Sequence, residues 1–359
     1  MKNLTWQNPE QLFVAQELIN KVKSKCCGIK DYLFLGLVVV ICCTACNKEW
    51  EDEQYLQMAS FKANVNAQGV TTAYVRFKPG GVVKYSVPVI MSGSTMNEKA
   101  RTIHVGLDPD TLARLNKEQY GHRQELYFQQ LPDKYYSMPE TVEMPVGECV
   151  TIFPVEFKLD ETLDQADKWV LPLQILDDSS YDYQANPRKF YRRAMLRLLP
   201  FNDYSGTYDA SQYKIYLGDD TSNALTISTT RAFVVTEDEI FIYAGVRDID
   251  YLDRKLYKVK IKFTDEIVDL QNKKLIISSD NSENNNFTPI GIQSYSISES
   301  MDDLKPYLKK IFITLNLEYT FDDYTTVPGQ KIQYHVVGTL SMERKLNTLI
   351  PDEDQQIQW

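Results

Sequence analysis

Histidine and cysteine are scarce: three and six in 359 residues. Five of the cysteines, at 26, 27, 42, 43 and 46, fall within the first 46 residues, which leaves Cys149 alone in the rest of the chain. A single thiol closes no internal disulfide, so the fold must rest on core packing. His104, His122 and His335 are widely separated, and no Cys or His pair has ligand spacing, so neither a metal nor another cofactor is expected. A glycine-rich phosphate loop and a Gly-x-Ser-x-Gly elbow are also missing. Cys149, at a strand start, reads as a small buried residue rather than a nucleophile. There is no Lys/Arg block either. With 49 acidic and 39 basic residues, a net charge of −10, the chain lacks the cations that phosphate backbones demand, and nucleic acid is excluded as a partner. Hydrophobic residues at 43% and charged residues at 25% are ordinary for a globular protein of two or three domains.

The apolar run Tyr32 to Cys43 is twelve residues long, or about 18 Å as a helix against the ~30 Å hydrocarbon core of a bilayer. Lys21, Lys23, Lys25 and Lys30 precede it, and Thr44-Ala45-Cys46 follows. That order is the order of an export signal, not of a membrane span. Ala45-Cys46 resembles a bacterial lipobox, although Cys43 stands where leucine is usual, and implies acylation of Cys46. The tract Asn47-Lys48-Glu49-Trp50-Glu51-Asp52-Glu53 resembles the signal that sends Bacteroidetes lipoproteins to the outer face of the outer membrane. The alternative is an ordinary secretory signal. Residues 1–20 read either as a short amphipathic helix from Asn8-Pro9 or as a start placed too early. Residues 1–45 carry five lysines and three acids, so the remainder has 34 basic and 46 acidic residues, a net of −12.

Beyond a tether at 46–59, the dominant hydrophobic period is two. Thr72–Phe77 and Lys84–Val89 alternate about the turn Pro79-Gly80-Gly81, and further strands fit Thr102–Leu107, Thr141–Pro145, Val150–Leu159, Trp169–Leu176 and Ala194–Leu198. Asp108-Pro109-Asp110 opens one short helix that Asn116 is expected to end. This predicts an Ig-like antiparallel β-sandwich over residues 60–198. A second antiparallel β-domain, barrel-like or sandwich, is expected over 200–345, with strands at Ser211–Leu217, Asn223–Thr230, Arg231–Thr236, Glu239–Ala244, Leu256–Phe263, Lys274–Ser278, Lys310–Phe321 and Lys331–Arg344. Ser300–Tyr307 reads as a short helix and 346–359 as a polar tail.

Four motifs in order, Asp108-Pro109-Asp110-Thr111-Leu112, Leu131-Pro132-Asp133-Lys134-Tyr135-Tyr136, Val146-Gly147-Glu148 and Trp169-Val170-Leu171-Pro172-Leu173, resemble one module. It is the N-terminal β-sandwich of Bacteroidetes surface lipoproteins of glycan-utilisation clusters, found also on endo-β-N-acetylglucosaminidase-type glycosidases. Tyr204-Ser205-Gly206-Thr207-Tyr208 and Gly338-Thr339-Leu340-Ser341-Met342-Glu343-Arg344 are similar to C-terminal domains of unknown function that accompany it. The resemblance implies glycan handling at the cell surface and supplies no catalytic residues.

Glycosidases need two carboxyl groups about 5–10 Å apart. Asp177-Asp178, Asp219-Asp220, Asp302-Asp303 and Asp322-Asp323 are adjacent pairs in expected loops, where aspartate serves local hydrogen bonds and, as an alternative, weak Ca²⁺ binding. Two β-domains also leave no room for a catalytic barrel of ~250 residues, so no enzyme is expected. Carbohydrate binding needs exposed rings beside carboxylates and amides. Tyr181 and Tyr183 with Asn186 form one candidate cluster, and Tyr243 and Tyr251, near Arg247, Asp248 and Asp250, form another. Three functions remain: a non-catalytic surface lipoprotein binding a neutral glycan, a structural lipoprotein partnering an outer-membrane transporter or adhesin-like complex, and an enzyme of unrecognised type. The net of −12 favours neutral sugars over polyanions.

Overall fold

The computed structural model describes residues 53, 55–218 and 220–359; the segment expected as an export signal, Cys46 and Asp219 lie outside them. Eleven strands make the first domain: β1 (Met58–Phe61), β2 (Thr71–Arg76), β3 (Val83–Met91), β4 (Arg101–Leu107), β5 (Phe128–Gln130), β6 (Tyr136–Ser137), β7 (Thr141–Met144), β8 (Val150–Phe157), β9 (Lys168–Ile175), β10 (Gln184–Ala185) and β11 (Arg193–Phe201). They form two sheets, β10-β1-β3-β8-β6 and β2-β11-β9-β4-β7, with β5 added to β9. The expected sandwich is there, and it is mostly antiparallel. Three of its pairs, β1–β10, β2–β11 and β5–β9, run parallel. Alternation turns Val87, Val89 and Met91 of β3 and Phe153, Val155 and Phe157 of β8 inward against Leu171, Leu173 and Ile175 of β9.

The helix α1 (Pro109–Tyr120) covers the outer face of the second sheet, packing Leu112 and Leu115 on Val70, Phe128, Val170 and Met195. Asp108 caps it as expected, accepting the Thr111 N–H at 3.0 Å and the Thr111 hydroxyl at 2.8 Å. The helix runs past Asn116 to Gly121, whose φ is +58°. Asn116 is buried instead of terminal: its amide donates to the Phe128 carbonyl and accepts the Phe128 N–H, both at 2.8 Å. A small separate unit seats the Glu53 carboxylate on the Ser94 and Thr95 N–H groups, at 2.6 and 3.1 Å.

The second domain comprises β12 (Gly206–Leu217), β13 (Leu225–Thr226), β14 (Thr229–Val234), β15 (Glu239–Tyr243), β16 (Lys258–Ile267), β17 (Lys273–Ser278), β18 (Thr288–Pro289), β19 (Ser294–Met301), β20 (Leu308–Asp323), β21 (Ile332–Asn347) and β22 (Ile357–Gln358). Eight of them close as β12-β14-β15-β16-β17-β19-β20-β21, the last pairing back to β12. All these pairs are antiparallel, and the barrel interior is filled by Tyr208, Tyr213, Ile261, Leu315, Tyr319 and their neighbours. Closure needs Gly338 (φ +148°), because a Cβ there would stand 2.0 Å from the Gln212 carbonyl oxygen. The helix expected at Ser300–Tyr307 is absent. Ser300 and Met301 end β19, and a turn leads into β20. Asn223–Thr230 is likewise not one strand but the short β13 and the start of β14.

The outer faces of β14 and β15 join the domains. Phe233, Phe241 and Tyr243 pack with Ala166 of the sandwich. Three ion pairs surround this contact: Lys168–Asp250 at 2.6 Å, Lys255–Asp167 at 2.7 Å and Lys258–Asp164 at 2.7 Å. Arg254, fully buried, donates to the carbonyls of Ala166 (3.0 Å) and Glu125 (2.7 Å). The segment expected as a polar tail is docked too. Its Asp354 pairs with Arg76, Ile357 is buried, and Trp359 stacks on Tyr74 with ring centroids 3.9 Å apart.

Candidate functional site

The two sequence clusters fare differently. Tyr183 is only 3% exposed; its hydroxyl donates to the Leu176 carbonyl at 2.8 Å and accepts the His104 N–H at 3.0 Å. Tyr181, half-buried, stacks on His104 with centroids 4.0 Å apart. Asn186 is engaged locally, accepting the Arg188 N–H at 3.1 Å. Burial removes Tyr183 from any surface platform, because alternation sends it into the sandwich core. Tyr243 is also 3% exposed and belongs to the domain contact, whereas Tyr251 is 42% exposed. The expected pair of solvent-facing rings is therefore not formed at either cluster. Cys149 is half-buried instead of buried.

Asp322-Asp323 is not a loop pair. Both residues end β20 and are buried. The Arg247 guanidinium lies 2.9 Å from Asp323 and 3.0 Å from Asp253, with its carbon 3.7 Å above the Tyr257 ring. Asp323 also accepts the N–H groups of Thr325 and Thr326, both at 3.0 Å, and the Tyr257 hydroxyl at 3.1 Å. Burial alone would raise the Asp323 pKa. The Thr326 hydroxyl, Arg247 and the two N–H groups outweigh it and hold the carboxyl well below the ordinary range. Two carboxylates clamp the one guanidinium, so the cluster reads as a plug for one end of the barrel.

Three concavities stand out among the described residues. A groove of about 630 Å³ on the sandwich is lined by Tyr85, Val87, Pro88, Val150, Ile152 and the 62–66 segment. A second, about 500 Å³ at the barrel mouth, has an aliphatic floor of Ile297, Ile311, Ile313 and Leu346. Its Lys309 pairs with Glu299 at 2.7 Å, and its Arg344 donates to the Asp203 and Ser205 carbonyls. The third, about 520 Å³, lies on the barrel flank between β12, β14 and the 246–249 loop. It combines the hydroxyls of Thr207, Ser228, Thr229 and Thr230 with the rings of Phe233 and Tyr243, and adds Arg231 and Asp248. The Tyr243 hydroxyl is buried near Arg254 without a hydrogen bond of good geometry among the described residues, and burial pushes its pKa up. Tyr243, Arg247 and Asp248 of the second sequence cluster thus do meet at one cavity, but as its wall. The hydroxyl run Ser228-Thr229-Thr230-Arg231 was the missed signal; it reads as ordinary strand sequence until β12 and the loop close around it. Rings for packing and a few hydroxyls for orientation are what a small polar ligand requires.

An antiparallel β-barrel latched to a β-sandwich defines the class. Within it, a family model described as a domain of unknown function, DUF4973, matches residues 50–179, and a model described as a C-terminal domain matches 192–341. A Bacteroides ovatus protein of unknown function is 40% identical, with a TM-score of 0.75 over 84% of this chain and 100% of that one. A Bacteroides ovatus multidomain protein including DUF1735 is 39% identical over 84% and 100%, also at TM-score 0.75. An auxiliary nutrient binding protein from Bacteroides thetaiotaomicron is 38% identical over 83% and 100%, at TM-score 0.74. The chain belongs to this family of two-domain Bacteroides proteins. No curated protein matches it.

Proposed function

We propose that the protein is a non-catalytic accessory protein that binds a glycan at the cell exterior, in the barrel-flank pocket, and is held to the outer membrane through acylated Cys46. The observation that carries this reading is the flank pocket, where Thr207, Ser228 and Thr229 line a concavity beside two aromatic rings. The name of the relative from Bacteroides thetaiotaomicron, an auxiliary nutrient binding protein, supports a binding role. Shallow sites of this kind bind at micromolar to millimolar strength, about −4 to −8 kcal/mol. Thr229→Trp, at an exposed position of the lining, should abolish retardation in affinity gels of the polysaccharide bound, while Tyr181→Ala should leave it unchanged. The opposite pair of results would move the site to the sandwich. Cys46→Ser should release the protein from the outer-membrane fraction, since stable anchoring takes more than one acyl chain and all of them would be lost. Retention at the wild-type level would refute the anchor.

The second reading, assembly with an outer-membrane transporter or adhesin-like partner, is favoured by the sandwich groove, where Val150 (51%) and Ile152 (46%) stand exposed on one face with Pro88. Co-purification with a transporter and no retardation on any glycan would select it.

A further inference from the structure

We propose that the ligand of the flank pocket carries an oxyanion, a carboxylate or a sulfate, which Arg231 receives. The inference rests on the binding role above and adds the charge of the ligand.

Arg231 sits on β14 opposite Thr207 of β12, on the outward face that also carries Phe233. Its guanidinium lies 5.8 Å from the centre of the Phe233 ring. Among the described residues it has no hydrogen-bond acceptor and no carboxylate at ion-pair distance. A second arginine, Arg197 of β11, also has no carboxylate at ion-pair distance among the described residues. It donates to the Gln68 side chain at 3.1 Å and lies 5.9 Å from the centre of the Phe128 ring. Its Nε is buried without a partner among the described residues. Burial, and then repulsion from Arg231, lower its hold on the proton, so the two cations feel each other across the domain joint.

Five of the carboxylates nearby already pair with other cations. Asp250 serves Lys168, Asp253 and Asp323 serve Arg247, Asp164 serves Lys258, and Asp167 serves Lys255. Asp248, the exposed carboxylate of the lining, accepts the Asp250 N–H at 2.8 Å and makes no ion pair with Arg231. In a chain where acids outnumber bases, two half-buried arginines left without an acid are a local excess of positive charge that an external anion would neutralise. The guanidinium fork matches carboxylate and sulfate oxygens in pairs, and hydroxyls beside it can take the neighbouring sugar oxygens.

This reverses the neutral-sugar expectation drawn from net charge. Screening confines that general field to about 8 Å at physiological ionic strength, whereas Arg231 acts at contact inside a walled pocket.

The test uses polygalacturonate for the carboxylate, dextran sulfate for the sulfate, and dextran for the neutral case, with wild type, Arg231→Gln and Thr229→Trp compared by titration calorimetry. Wild type should bind one acidic polymer at least about tenfold tighter than dextran, with the advantage falling as salt rises. Which polymer wins separates carboxylate from sulfate. Arg231→Gln should lose that advantage, by about tenfold, while its thermal midpoint stays put. An acidic preference that survives in Arg231→Gln, or equal binding of all polymers that Thr229→Trp abolishes, overturns the charge assignment and leaves the pocket reading standing. Binding that Thr229→Trp leaves intact, or no binding at all, overturns both.

Discussion

Arg254→Ala is expected to lower the unfolding free energy by about 3–5 kcal/mol and to split a single unfolding transition into two. Arg254 comes from the turn before β16, and beside a bond to the Tyr251 carbonyl of its own domain it donates to the sandwich, at the Ala166 and Glu125 carbonyls. Truncation leaves two buried acceptors without partners, at about 1–3 kcal/mol each, and opens a cavity beside Tyr243 and Phe241. Because those groups are shared between the domains, the loss falls on their coupling more than on either core. Calorimetry distinguishes the cases: one transition at the wild-type midpoint would mean that the joint does not depend on Arg254.

Asp323→Ala should cost a similar amount, about 3–5 kcal/mol, since it leaves Arg247 buried with Asp253 as its sole remaining carboxylate. Asp323→Asn keeps the shape and isolates the charge. The folded-state pKa of Asp323 is depressed, so its contribution is complete above the unfolded value of about 3.9 and is lost as pH falls from there toward the folded value. Urea midpoints measured across that range should show the wild-type lead over Asp323→Asn full near neutrality and shrinking in acid. A lead that does not change with pH would show that the carboxylate's charge is not what stabilises this end of the barrel.

These two residues also mark the limit of what could be read from the chain. The strands were legible because Thr72–Phe77 or Glu239–Ala244 carry their alternation locally, and the helix because Asp108 and Pro109 sit at its start. Alternation says that Tyr243 and Ile242 face opposite ways, but not that both sides are covered. Ile242 enters the barrel, and Tyr243 is covered by a second domain that contributes Ala166 from 77 positions earlier. Asp323 looked like turn chemistry because its charged partner, Arg247, is distant in sequence. Arg231 carried no signal as a candidate, since an arginine on a strand is ordinary until the absence of a carboxylate around it can be seen. Ser300–Tyr307 misled for the opposite reason: its polar residues suit a helix start, but pairing of Ser300 and Met301 with β20 decides their conformation.

The joint between the domains has a centre and a rim that answer differently to acid. Around the rim, burial works against the Asp164 carboxylate but Lys258 outweighs it and holds the pKa below its ordinary value, so this ion pair is lost as Asp164 takes up a proton in acid. At the centre, the Arg254 guanidinium grips backbone carbonyls, which have no proton to exchange. Acidification would therefore soften the edge of the joint while its middle stays fastened, and the geometry of the adjacent flank pocket would persist in an acidic medium that had already loosened the surface charges around it.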